Sequence, residues 1–317
     1  MRVIVSGLIN IETTLKVKKF PINYYPIDYP FFGIKADVSG VAYNVGKALL
    51  TLDNNIQITS FIGEDEEGKR ILSKLEEERI GNQFIYHELR ETPVTVALYD
   101  EEGRRQIYCD LKDIQEKNME FAKLEIAIKD SDLVVLCNSN FNRPLLKKVK
   151  KIGKLIASDV HVLSDIDDEY NKEFMEYADI LFLSDEQLPC SAEQFIFEMK
   201  EKYLSKIIVI GLGKKGALLY ERSEDRIYRL EAAHVGDVVN TLGAGDALFS
   251  CFINYYIKGY SALEALTRAE IFASLKIRCN GAANGFSSED IVEKYYKNNE
   301  VVVREVTYVH KEEGDRG

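Results

Sequence analysis

The chain has no tryptophan, and only six prolines and four histidines in 317 residues. Its five cysteines, Cys109, Cys137, Cys190, Cys251 and Cys279, are odd in number and widely separated. They therefore read as reduced core or surface thiols, not as bridges or a zinc site. His87, His161, His234 and His310 show no metal-ligand spacing either. No run approaches the ~18 apolar residues of a membrane span, and residues 1–7 read as an opening strand and turn, so a cytoplasmic protein with no membrane partner is expected. Basic charge is in deficit, with 41 Lys and Arg against 52 Asp and Glu and a net charge of −11. A nucleic-acid backbone is thereby excluded as a partner, because holding it requires a basic face, while a small anion gripped by local amides remains open. There is also no Gly-x-x-x-x-Gly-Lys-Ser/Thr loop, which excludes the P-loop way of holding a nucleotide.

What is present is a regular alternation. At 317 residues the length allows one large or two ordinary domains, and 46% hydrophobic residues suffice for a sizeable core. Continuous apolar runs at residues 3–5, 56–61, 133–136, 155–157, 180–183 and 207–210 suit strands covered on both faces, as in a parallel sheet. Between them Val41, Val45, Ala48, Leu49 and Leu52, and then Ile71, Leu72 and Leu75, recur at helical spacing, which predicts an α/β sandwich. Two regions break the rhythm. Residues 13–35 pass from strand-like alternation into Phe20, Tyr24, Tyr25, Tyr29, Phe31 and Phe32 among three prolines. Residues 92–109 read as a hairpin turning at Asp100-Glu101-Glu102-Gly103. Residues 299–317 end in a charged run that reads as a frayed tail.

The densest chemistry lies at Asn240-Thr241-Leu242-Gly243-Ala244-Gly245-Asp246, which runs straight into an apolar helical stretch. Amides at a helix start and the positive end of its dipole attract phosphate oxygens, and glycines let the backbone approach them closely. Asp246 could serve only as a helix cap, but a cap needs one such residue, not this whole succession. Gly211-Leu212-Gly213-Lys214-Lys215-Gly216 formally matches a dinucleotide fingerprint. That fingerprint must open a long helix, whereas Ala217-Leu218-Leu219-Tyr220 continues as a short strand, so a hairpin is expected instead.

These residues resemble the ribokinase-like (PfkB-type) family of sugar and nucleoside kinases, whose C-terminal signature is Asp-Thr-x-Gly-Ala-Gly-Asp. Ser39-Gly40-Val41-Ala42-Tyr43-Asn44 is similar to the N-terminal Gly-Gly-x-x-x-Asn signature, Gly63-Glu64-Asp65-Glu66-Glu67-Gly68 to a Gly-x-Asp-x-x-Gly segment, and Gly213 to Gly216 to a nucleotide loop. The resemblance implies a three-layer α/β/α sandwich with a mostly parallel sheet over residues 1–298, a small β lid from about 13–35 and 92–109, and a C-terminal extension. It implies ATP with Mg2+, and leaves room for a monovalent cation. Asp246 would take the acceptor's proton, with Gly243, Ala244 and Gly245 forming the anion hole. Thr241, Asn240, Gly213 and Gly216 would hold the nucleotide. Asn10, Glu12, Gly40 and Asn44, with Asn138 beside them, would hold the acceptor. A homodimer through the lid is also implied.

The chain departs from the pattern at Ser39, at Glu12 and Asn240 in place of Asp, and at Ser184-Asp185-Glu186-Gln187 in place of Asn-x-x-Glu. Asp185 and Glu186 are then the metal candidates left. The expected activity is ATP-dependent phosphorylation of a hydroxymethyl group on a ribose- or fructose-like sugar. A nucleoside kinase, including one for pseudouridine, is the neighbouring reading. A degenerate kinase that only senses sugar or nucleotide is the reading from another class.

Overall fold

In the computed structural model, which describes residues 1–307, the strands run in chain order β1 (Arg2–Ser6), β2 (Asn10–Lys16), β3 (Ile34–Ser39), β4 (Asn55–Gly63), β5 (Ile85–Leu89), β6 (Val94–Tyr99), β7 (Arg105–Asp110), β8 (Leu133–Leu136), β9 (Ile156–Val162), β10 (Ile180–Ser184), β11 (Ile207–Gly211), β12 (Ala217–Glu221), β13 (Arg226–Leu230) and β14 (Val303–Glu305). The helices are α1 (Val41–Thr51), α2 (Glu66–Glu77), α3 (Phe121–Asp130), α4 (Arg143–Lys151), α5 (Lys172–Tyr177), α6 (Ala192–Lys202), α7 (Ala244–Ile257), α8 (Ala262–Lys276) and α9 (Glu289–Asn298).

The main sheet has the order β14-β13-β12-β11-β10-β9-β8-β1-β4-β5. From β11 to β5 it is parallel, while β12, β13 and β14 add on antiparallel. Successive side chains of one strand go to opposite faces, and both faces are apolar. Val3, Val5, Phe182 and Val209 join the core under α1, α2, α7, α8 and α9. Ile4, Leu181, Leu183 and Ile208 join the core under α3 to α6. This two-sided demand is why the strands read as unbroken apolar runs, and it gives the three-layer α/β/α sandwich.

A second sheet, in the order β3-β2-β6-β7, stands on the C-terminal edge of the first. Its strands come from the two segments that interrupt the α/β rhythm, and residues 17–33 connect β2 to β3 without regular structure. The β6–β7 hairpin turns at residues 100–104, where Asp100 accepts from the Glu102 and Arg104 amides. Ala97 of β6 packs with Leu242 and Ala282, so the small sheet closes over the start of α7.

One expectation is corrected. Val303, Arg304 and Glu305 pair with Leu230, Arg229 and Tyr228 as a tenth strand of the main sheet, so the chain beyond 298 is not simply frayed. The Val303 backbone finds partners on an otherwise open edge, and its side chain packs on the core. Residues 308–317, which carry the charged end of the expected tail, lie outside the described residues.

Candidate active site

The site forms where the C-terminal ends of the parallel strands face the small sheet, the usual crevice of open α/β sheets. Gly243 caps α7 in the left-handed conformation, φ 74°. A Cβ there would lie 2.2 Å from the Ala282 carbonyl oxygen, so only glycine allows the 277–288 segment to pass this close. The first helical bond within α7 runs from the Ala247 amide to the Gly243 carbonyl. The Gly245 and Asp246 amides precede it and open outward, as helix-start amides do. Gly245 has nothing within 4 Å of where a Cβ would stand. Those features suit an approaching phosphate.

The Ala244 amide is different. It already donates to the Thr241 carbonyl at 3.1 Å, so its hydrogen goes to the turn and is not free for an anion. Asn240, expected beside the nucleotide, is buried, and its Oδ1 accepts from the Leu242 amide at 2.8 Å, shaping the loop from within.

Asp246 sits half-buried in the first turn of α7. Burial raises its carboxyl above the usual carboxylate range, against the lowering effects of His161 and of a hydrogen bond from Asn44. That bond, from Asn44 Nδ2 to Asp246 Oδ2, is 2.8 Å long. Asn44 lies on the buried face of α1. Gly40, with φ 102°, precedes that helix; a Cβ there would lie 2.5 Å from the Leu8 carbonyl oxygen, which accepts from the Ala42 amide.

Glu12 on β2 pairs in register with Asp37 and Thr95. Burial raises its carboxyl, and the neighbouring charge of Asp246 adds to the rise. Asn10 is buried, with Nδ2 donating to the Thr95 hydroxyl and Oδ1 lacking a partner. Glu12, Thr14, Lys35, Asp37 and Ser39 from the small sheet, with Asn280, Gly281, Ala282, Ala283 and Asn284 opposite, line a cavity of about 370 Å³. Asn138 lies apart from them. Its Nδ2 donates to Asn171 Oδ1 at 3.1 Å and to the Val160 carbonyl, ties within the neighbouring loops.

Gly213 and Gly216 belong to the turn between β11 and β12. Gly216, φ 90°, would place a Cβ 2.0 Å from the Leu230 carbonyl oxygen, so it is required for the hairpin. Gly213, φ 56°, is exposed with open space around it. Of the two metal candidates, Glu186 binds Arg105 of β7 at 3.1 Å, and the Asp185 amide donates to the Gly211 carbonyl at 2.9 Å. Among the described residues no group of three His, Cys, Asp or Glu side chains could hold a metal ion. One or two carboxylates together with the nucleotide phosphates would then have to hold a magnesium ion.

Sequence reasoning missed three groups. Asp159 and His161 stand in the C-terminal half of β9, with His161 Nδ1 3.6 Å from Asp159 Oδ2 and His161 in the left-handed region at φ 60°. Their position toward a strand's C-terminal end was a usable signal. Lys276 closes α8 with its ammonium buried beneath Leu242, and no local spacing marks it.

The fold thus joins a doubly covered parallel sheet to a helix start that opens outward and to a carboxylate near a partly polar cavity. The chain belongs to the pfkB family of carbohydrate kinases, whose model matches residues 2–289. It is an ATP-dependent carbohydrate kinase. A nucleoside kinase of Methanocaldococcus jannaschii is 22% identical over 297 residues, covering 90% of this chain and 94% of that one. Among solved structures, a microbiome-derived acarbose kinase superposes with a TM-score of 0.82 at 21% identity, covering 93% of this chain and 98% of that one. The ribokinase of Arabidopsis thaliana, solved with ribose and ATP, gives 0.76 at 20%, with the same coverage. Among the described residues no helix is long and apolar enough to cross a membrane.

Proposed function

We propose that this kinase phosphorylates the hydroxymethyl group of a neutral pentose or hexose, with Asp246 taking the hydroxyl proton. The observation that carries this reading is the cavity near Asp246, whose lining is part polar and part apolar. It is lined by Glu12, Asp37, Ser39 and Thr14 and by no aromatic ring. Carboxylates and hydroxyls suit the paired hydroxyls of a sugar. Two carboxylates against the single ammonium of Lys35 disfavour an acceptor that already carries phosphate. A nucleobase would want a stacking surface, and Tyr24, Phe31 and Phe32 instead lie exposed in the 17–33 connection, away from the cavity lining.

The Gly245 and Asp246 amides, with Thr241 and the Gly213 turn, would hold the ATP phosphates, and bound ATP supplies the phosphoryl group. A divalent cation would arrive with those phosphates. In such a loose transition state the protein's work is positioning and charge stabilisation, so Asp246 needs orientation more than basicity. Glu12 and Asn10 would orient the sugar. Asn44 would act mainly through its bond to Asp246. The exposed apolar side chains of Val96, Tyr108 and Ile34 on the small sheet suit a second copy of the chain. Cytoplasmic placement accords with the thiols, all of which are free.

ADP release measured against pentoses, hexoses, sugar phosphates and nucleosides tests the assignment. A neutral sugar should give the highest kcat/KM. Preference for a nucleoside, or release with no acceptor at all, would reject it.

A further inference from the structure

Lys276, the last residue of α8, is fully buried, a rare place for an ammonium. Its Nζ donates to the carbonyl oxygens of Leu242 and, at 2.9 Å, Gly281. Leu242 lies in the loop that presents the helix-start amides, and Gly281 lies in the segment that follows α8. The same two stretches touch again at Gly243 and Ala282, where no Cβ would fit. Carbonyl oxygens converging on one point form a seat for a cation, and an ammonium with three donors can occupy it as an alkali ion can. The family resemblance leaves room for a dissolved monovalent cation. Beneath this anion loop the carbonyls already hold a charge that the chain supplies.

We propose that Lys276 is a tethered cation that braces the anion loop and frees the enzyme from any dissolved monovalent cation. It is a positioning residue. The bridge from Leu242 to Gly281 fixes the turn from which Gly245 and Asp246 offer their amides, and the positive charge behind them favours an anion in front. Burial lowers the ammonium to about 8, and the charges of Asp246 and Glu12 oppose that lowering, so all three groups share one electrostatic neighbourhood. The effect on turnover rests on the kinase reading, whereas the bracing itself belongs to the fold.

Thermal melting in potassium, ammonium and tetramethylammonium chlorides at matched ionic strength tests the bracing without any acceptor. Wild type should melt at one temperature in all three salts. Lys276→Ala should melt about 5 °C or more lower in tetramethylammonium, since two buried carbonyls lose their partner. Potassium or ammonium should restore at least half of that loss, because those ions fit the vacated seat and tetramethylammonium does not. Lys276→Met, which fills the space with an apolar chain, should show the loss without the recovery. ATP turnover of Lys276→Ala should follow the same salt order, with kcat reduced about 100-fold and acceptor KM little changed. Wild type that melts higher or turns over faster in potassium overturns the proposal. So does a Lys276→Ala variant indifferent to the choice of cation. If that variant folds in none of the salts, the wild-type comparison alone decides. Salt-selective rescue of melting in a protein that phosphorylates no acceptor would sink the proposed function and leave the tether standing.

Discussion

Asn44 Nδ2 donates to Asp246 Oδ2 at 2.8 Å across 202 residues of sequence, joining the first helix of the chain to the helix that Gly243 caps. The bond fixes one carboxylate oxygen and leaves the other for chemistry. It also holds the carboxyl down against the upward pull of burial.

Asp246→Asn keeps the size and much of the hydrogen bonding of the side chain but removes the base. The kcat for the preferred acceptor should fall by roughly 10²- to 10⁴-fold, with ATP affinity little changed. Steady-state kinetics beside nucleotide-binding calorimetry separate the two effects, and near-normal turnover would move the base elsewhere.

Asn44→Ala removes a hydrogen bond that favours the ionised form of Asp246. The carboxyl should rise further, and the acid limb of the kcat/KM profile should move to higher pH. A variant that loses activity equally at every pH would mean that Asn44 acts on the acceptor and not through Asp246.

Two glycines of one motif should fail differently. Gly243→Ala puts a Cβ against the Ala282 oxygen on a backbone at φ 74°, so it should destabilise the fold by about 2 kcal/mol or more. Gly245→Ala meets open space. As a helical position it should be neutral or stabilising by up to about 1 kcal/mol, yet ATP should bind at least about 10-fold more weakly if phosphate comes this close. Denaturant melts and nucleotide titrations of both variants check the contrast, and unchanged ATP affinity in Gly245→Ala would place the phosphates elsewhere.

Glu270 on α8 is buried, and burial pushes its carboxyl up to about 8; the Ala233 amide donates to it, while the Val235 amide donates to Ser274 one turn on. A carboxyl whose folded value lies above its unfolded value binds more protons in the folded state. Its contribution is therefore complete below the ordinary value near 4.5 and is lost as pH rises through about 8. The loss should run at about 1.4 kcal/mol per pH unit within that window. Glu270→Gln keeps an acceptor for Ala233 and cannot ionise, so its stability should be flatter with pH and higher than wild type near pH 8. Parallel slopes for the two proteins in urea melts across the window would remove this account.

The sequence by itself determined the layers and the glycine turn that opens α7. Apolar runs such as residues 180–183 and 207–210 can be buried on both sides only in a parallel sheet covered by helices, and the left-handed turn at Gly243 needs its glycine wherever the chain goes. These are local demands, legible at local spacing. The tertiary structure decided what no spacing encodes. It placed Asn44 on Asp246 and turned the Ala244 amide into the loop. It brought His161 near the carboxylate, added Val303–Glu305 to the sheet edge, and set Lys276 beneath Leu242, 34 residues away in sequence. Each of those partners is a common residue type in an unremarkable local pattern. It acquires its role only when packing excludes water, because a polar group without water must find its partner within the fold.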